Sequence, residues 1–113
     1  MTEPTKEVIE SISTKHPGRD LLHIEVEHDG ETYHAVATTP NRVEWGKFLS
    51  DSNDSDLPAK LKAQENLVLL SVRWPDREEL QKLFAKKPAM VSDYFGELAS
   101  AVGSNAKARS KKL

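Results

Sequence analysis

The stretch Leu21-Leu22-His23-Ile24-Glu25-Val26-Glu27-His28-Asp29-Gly30-Glu31-Thr32-Tyr33-His34-Ala35-Val36-Ala37-Thr38 decides the fold. Leu22, Ile24 and Val26 alternate with His23, Glu25 and Glu27; after Asp29-Gly30 the alternation resumes, with Tyr33, Ala35 and Ala37 set against Thr32, His34 and Val36. A period of two places each set on one face of a strand. Asp-Gly between two such runs is a strong hairpin signal, because the tight primed turn needs positive φ at both central residues. A two-residue turn there sets His28 opposite Glu31, and so pairs Val26 with Tyr33, Ile24 with Ala35 and Leu22 with Ala37. Those six residues share an apolar face. The other face carries His23, Glu25, Glu27, Thr32 and His34 and is expected to be solvated. A lone hairpin is marginal in water, so helices must cover its apolar side. The two strand edges are candidate sites for pairing with another copy or an extended partner.

Outward from the hairpin the period becomes helical. Upstream, Val8, Ile9 and Ile12 form a narrow stripe in Glu3 to Lys15, a short amphipathic helix stopped by His16-Pro17-Gly18. Downstream, Thr39 reads as a cap and Pro40 as the first position of a helix bearing Val43, Trp45, Phe48 and Leu49. Ser50 to Asp56 reads as a polar loop. Pro58 opens a longer helix to about Arg73, and its second half, Leu67, Val68, Leu69, Leu70 and Val72, is apolar nearly all round. Such a helix is buried at the centre of the fold or against a partner. Trp74-Pro75-Asp76 interrupts the chain ahead of a helix carrying Leu80, Leu83 and Phe84. The last helix, from about Pro88 to Val102, presents Val91, Tyr94, Phe95, Leu98 and Val102, and Gly103 stands where a left-handed cap is wanted. The expected class is α+β: an N-terminal helix, one β-hairpin, then about four helices packed on one face of the hairpin.

With 113 residues the chain holds one modest core, and 37% hydrophobic against 30% charged residues is globular rather than disordered. The expected division is a single domain over residues 1–103, with the helix within 1–18 peripheral, and a disordered basic tail or linker over 104–113. That tail carries Lys107, Arg109, Lys111 and Lys112 without an acid, so residues 1–103 hold twelve basic and eighteen acidic side chains. A net charge of -2 gives the whole chain no bulk attraction for nucleic acid or an anionic membrane. The absence of cysteine excludes disulfides, thiol catalysis and thiolate metal ligands. The longest apolar run, Leu67 to Leu70, is far short of the roughly 20 residues that span a bilayer, and the N-terminus has no signal-peptide pattern.

Little in the sequence points to chemistry. The register places His34 opposite Glu25 with His23 nearby, a grouping that suits a metal, but three ligands on a flat exposed face lack enclosure and a second shell. The simpler reading is a solvated face with one cross-strand ion pair. Asp51, Asn53, Asp54 and Asp56 imitate the start of a calcium loop, yet Asp56 stands where a glycine is needed and Lys62 where a bidentate glutamate is needed. No nucleophile elbow, phosphate loop or paired His-Glu helix motif occurs. The tail could touch phosphates but has no aromatic to stack a base. The expectation is therefore no enzyme, no cofactor, no metal and no nucleic-acid partner.

The segment Glu65-Asn66-Leu67-Val68-Leu69-Leu70-Ser71-Val72-Arg73-Trp74-Pro75-Asp76, followed by Glu79-Leu80 and Leu83, then Lys87-Pro88-Ala89 and a closing helix ending Ala101-Val102-Gly103, resembles small tail assembly chaperones of long-tailed bacteriophages or prophages. The hairpin and the helix with Trp45 and Phe48 fit the same layout, so the resemblance covers about residues 20–103. It implies a non-enzymatic protein of the infected bacterial cytoplasm, absent from the mature virion, that binds the tape-measure protein and helps tail-tube protein assemble around it. In many members a ribosomal slip near the end of the gene yields a longer product, and Lys111-Lys112 is compatible with a slippery run. The alternatives are a protein-interaction module of another kind or a nucleic-acid-binding accessory protein.

A holding chaperone needs exposed apolar area and enough charge to stay soluble. Leu67, Leu70, Val91, Tyr94, Phe95 and Leu98 are the nominated partner-binding residues, although most of them also suit a core. A homo-oligomer is open to the chain through hairpin edge pairing or through its helices.

Overall fold

The computed structural model describes residues 3–53, 56–103 and 108–112. In chain order they form α1 (Lys6–Lys15), β1 (Leu21–His28), β2 (Glu31–Thr38), α2 (Arg42–Ser52), α3 (Leu57–Ser71), β3 (Val72–Trp74), α4 (Arg77–Lys86) and α5 (Met90–Ala101). This is the expected α+β class with one strand added: an antiparallel sheet of order β1-β2-β3, with the four later helices following the hairpin. The hairpin register is the one the turn dictates, with Val26 opposite Tyr33, Ile24 opposite Ala35 and Leu22 opposite Ala37. Asp29 at φ 51° and Gly30 at φ 77° supply the two left-handed residues of the turn.

The inner face of the sheet meets the helices through small residues. Ala35 and Ala37 are fully buried, and their lack of bulk lets Leu67 and Val68 of α3, Leu80 and Phe84 of α4, and Met90, Tyr94 and Leu98 of α5 close over Ile24, Val26 and Tyr33. The Phe84 and Tyr94 rings meet edge to face at 5.5 Å. Each of the large apolar side chains buried here stabilises the fold by about 1.5–3 kcal/mol.

Three departures from the sequence reading have physical causes. First, the outer face is solvated along β1 but covered along β2, where His34, Val36 and Thr38 are buried. Trp74 of β3 pairs with Val36 on this side, and Thr5, Val8 and Ile12 of the α1 segment line a cleft with Trp74, Ile12 itself being buried. Second, α3 ends at Ser71, and Val72–Trp74 become β3. Valine and tryptophan favour a strand, the residue before Pro75 is steered away from the helical region, and β2 would otherwise present an unpaired edge. Thr38 and Arg73 tie the two strands further, with Arg73 Nε donating to Thr38 Oγ1 at 3.2 Å.

Third, α2 is capped by Asn41, not Thr39. Asn41 accepts from the Glu44 amide while Glu44 accepts from the Asn41 amide, a reciprocal box that outcompetes a start at Pro40. The same helix extends to Ser52, shortening the expected polar loop, and α3 begins at Leu57 under an Asp56 cap. Gly103, at φ 91°, closes the C-terminal side of α5. Residues 108–112 are exposed and neither helical nor extended in a sheet, whereas 104–107 and 113, the rest of the expected tail, lie outside the described residues.

Candidate functional site

A polar clamp and an aromatic cluster beside the core together hold α2. Arg19 Nη2, just ahead of β1, donates to the Thr39 carbonyl at 2.8 Å and to Glu44 Oε1 at 2.7 Å, so one guanidinium holds the end of the hairpin against the first turn of α2. With its position fixed at that end, α2 need not bury its apolar residues, and none of them is fully buried. Trp45 and Phe48 are half-buried and join Phe95 of α5 in an aromatic cluster, with ring centroids 5.0 Å apart for Trp45–Phe48 and 4.9 Å for Phe48–Phe95.

Between α2 and α3 lies a cleft of about 250 Å³ whose apolar lining is Phe48, Ala63, Leu67 and Leu70. Its rim is charged in both signs, by Glu44 and Asp51 and by Lys47 and Arg77. Among the described residues every large apolar side chain that is exposed belongs to this helix pair: Val43 at 80%, Leu57 at 68%, Leu49 at 50%, Leu61 at 48% and Leu70 at 42%. Leu57 and Leu61, one turn apart, lie on one side of α3, and Leu70 with Ala63 and Leu67 lies on the side of the cleft. The helix pair therefore offers apolar surface on more than one side, and it holds all the large apolar side chains that are exposed among the described residues.

Of the nominated residues, Leu70 is exposed in this surface, Leu67 is buried but reaches the cleft, and Phe95 is half-buried in the aromatic cluster. Val91 is half-buried beside the core. Tyr94 and Leu98 are fully buried and belong to the core. The residues missed were Val43, Leu49, Leu57 and Leu61. For Val43 the signal was angular: at about 100° per residue it falls roughly 200° from Trp45, so one stripe cannot bury both.

The second grouping is on the far side of the sheet. His23 Nε2 and His34 Nδ1 share a hydrogen bond of 2.9 Å, and Glu25 Oε1 lies 3.9 Å from the first nitrogen and 3.8 Å from the second. Of the calcium-like segment, Asp56 caps α3 by accepting from the Ala59 amide, and Asp54 lies outside the described residues. No helix among the described residues is long and apolar enough to cross a membrane.

No protein-family model matches the chain, and no curated protein sequence matches it. Its fold is similar to that of a solved structure, an uncharacterised protein from Bacillus stearothermophilus, with a TM-score of 0.68 and 19% identity over 93% of this chain and 99% of the other. The shared property is the α+β arrangement.

Proposed function

We propose that the protein is a non-enzymatic, protein-binding assembly factor: a tail assembly chaperone that holds the tape-measure protein of a long-tailed phage or prophage in the bacterial cytoplasm and assists tail-tube assembly. The observation that carries the protein-binding part is the concentration of exposed large apolar side chains in α2 and α3, around a cleft with a mixed-charge rim. A surface of that kind suits amphipathic helical segments, which lay an apolar stripe into a groove and leave charges at its margins. The acidic balance of residues 1–103 keeps such a complex soluble. The phage assignment rests on the resemblance of Glu65 to Asp76 and its flanking elements.

The test is co-expression with the tape-measure protein encoded beside it. Expected is a soluble complex that co-purifies with the wild-type chain and is lost with Leu49→Glu combined with Leu70→Glu, two exposed positions whose substitution leaves the thermal midpoint within a few degrees. If the tape-measure protein stays insoluble with the wild-type chain, the chaperone reading fails. If it co-purifies equally with the double variant, α2 and α3 are not its docking surface. Retention on DNA with a steep salt dependence would favour the nucleic-acid alternative.

A further inference from the structure

We propose that His23, Glu25 and His34 form a binding site for one zinc-like divalent cation on the outer face of the hairpin. The potential ligand atoms of the three residues lie within 4.8 Å of one another. The sequence argued against a metal because the face was expected to be flat and solvated; the fold alters this at His34, which is buried, while His23 and Glu25 stay exposed beside it. His34, in the middle strand and paired with Glu25 of β1, is 4% exposed, so one imidazole is fixed before any ion arrives. Its Nδ1 faces the opening with His23 and Glu25. Its Nε2 lies 4.0 Å from the exposed Glu3 carboxylate, beyond hydrogen-bond distance, so the site rests on the three ligand residues themselves.

The distances suit an ion of this size. Tetrahedral zinc with bonds of about 2.0–2.1 Å sets its ligand atoms roughly 3.3–3.4 Å apart. The two imidazole nitrogens, at 2.9 Å, need to open by about 0.4 Å, and the carboxylate oxygen, at 3.8 and 3.9 Å, needs to close by about 0.5 Å. The moving groups are the exposed ones, His23 and Glu25, while buried His34 stays in place. In the hydrogen bond between His23 Nε2 and His34 Nδ1, one of the two nitrogens carries the shared proton. Ligation moves that proton through solvent to the other nitrogen of its own ring, which frees both lone pairs for the ion. Two imidazoles and one carboxylate are a borderline donor set that favours zinc over magnesium or calcium. Water completes the fourth position. The ion would join edge strand β1 to β2 and stabilise the hairpin independently of any protein partner.

The test uses untagged, chelator-treated, full-length protein titrated with zinc chloride by calorimetry slightly above neutral pH, with magnesium chloride as the comparison. Expected is one equivalent of zinc bound, no binding of magnesium, and a thermal midpoint that rises with zinc. His23→Gln, an exposed substitution that leaves the fold intact by circular dichroism, should weaken binding at least about tenfold. His28→Gln, at the turn, should bind as the wild type does. An absence of zinc binding, or binding unchanged in His23→Gln, overturns the proposal.

Discussion

Tyr94 brings a phenol into the core: its ring is fully buried against Phe84, and its hydroxyl finds no hydrogen-bond partner among the described residues. An unpaired buried hydroxyl costs about 1–3 kcal/mol, so Tyr94→Phe, which keeps the ring, should raise stability by about 1 kcal/mol in denaturant unfolding at neutral pH. Burial also pushes the phenol up from its ordinary value of 10.0 to about 12, helped by Tyr33 and Asp93. Because the folded state favours the neutral phenol, that contribution is complete below pH 10 and is lost as pH rises from 10 towards about 12. Unfolding followed across this window should show a steeper alkaline loss in the wild type than in Tyr94→Phe; equal slopes would mean that another group governs it. Tyr94 also marks where residue-level reading of the sequence stops. Its place in the apolar stripe of α5 was legible, but a stripe does not say which side of a buried helix faces protein and which faces a partner.

Among the elements, the hairpin was the most legible because its turn admits few solutions. Asp29 and Gly30 occupy the left-handed region, and a Cβ built on Gly30 meets nothing within 4 Å, so Gly30→Ala tests backbone conformation alone. It should destabilise the protein by about 1 kcal/mol in equilibrium unfolding, and a change near zero would mean that the turn relaxes to another type. β3 was illegible for the opposite reason. Its three residues follow directly on an apolar helical run, and although Pro75 marks where that helix must end, the unpaired edge of β2 that draws them into the sheet is a tertiary feature. The start of α2 shows two local signals in competition. Thr39-Pro40 is a sound opening by itself, but Asn41 and Glu44 satisfy two amides reciprocally and Arg19 adds a third contact to Glu44. The tripartite cluster of His23, Glu25 and His34 was visible in the register, whereas the burial of His34 was not, because nothing local to β2 says what covers its outer face.

At the scale of the whole molecule the described chain is elongated, 52 × 34 × 27 Å, and its two kinds of surface are segregated. The sheet with α4 and α5 forms the core, and α2 with the first half of α3 contributes little to it, Ala63 being the first buried residue of α3. A helix pair held by a polar clamp and an aromatic cluster, with Val43, Leu49, Leu57, Leu61 and Leu70 exposed, is where an assembly factor can bind a partner without opening its own core. The free edge of β1 is the competing site, since a strand added there would use backbone groups instead of side chains. Amide hydrogen exchange of the protein alone and in complex with its proposed partner, a tape-measure protein, separates the two directly. Expected is new protection in α2 and the first half of α3, with β1 exchanging as it does in the free protein. Protection confined to β1, with α2 and α3 unchanged, would contradict the assignment of the helix pair as the binding surface.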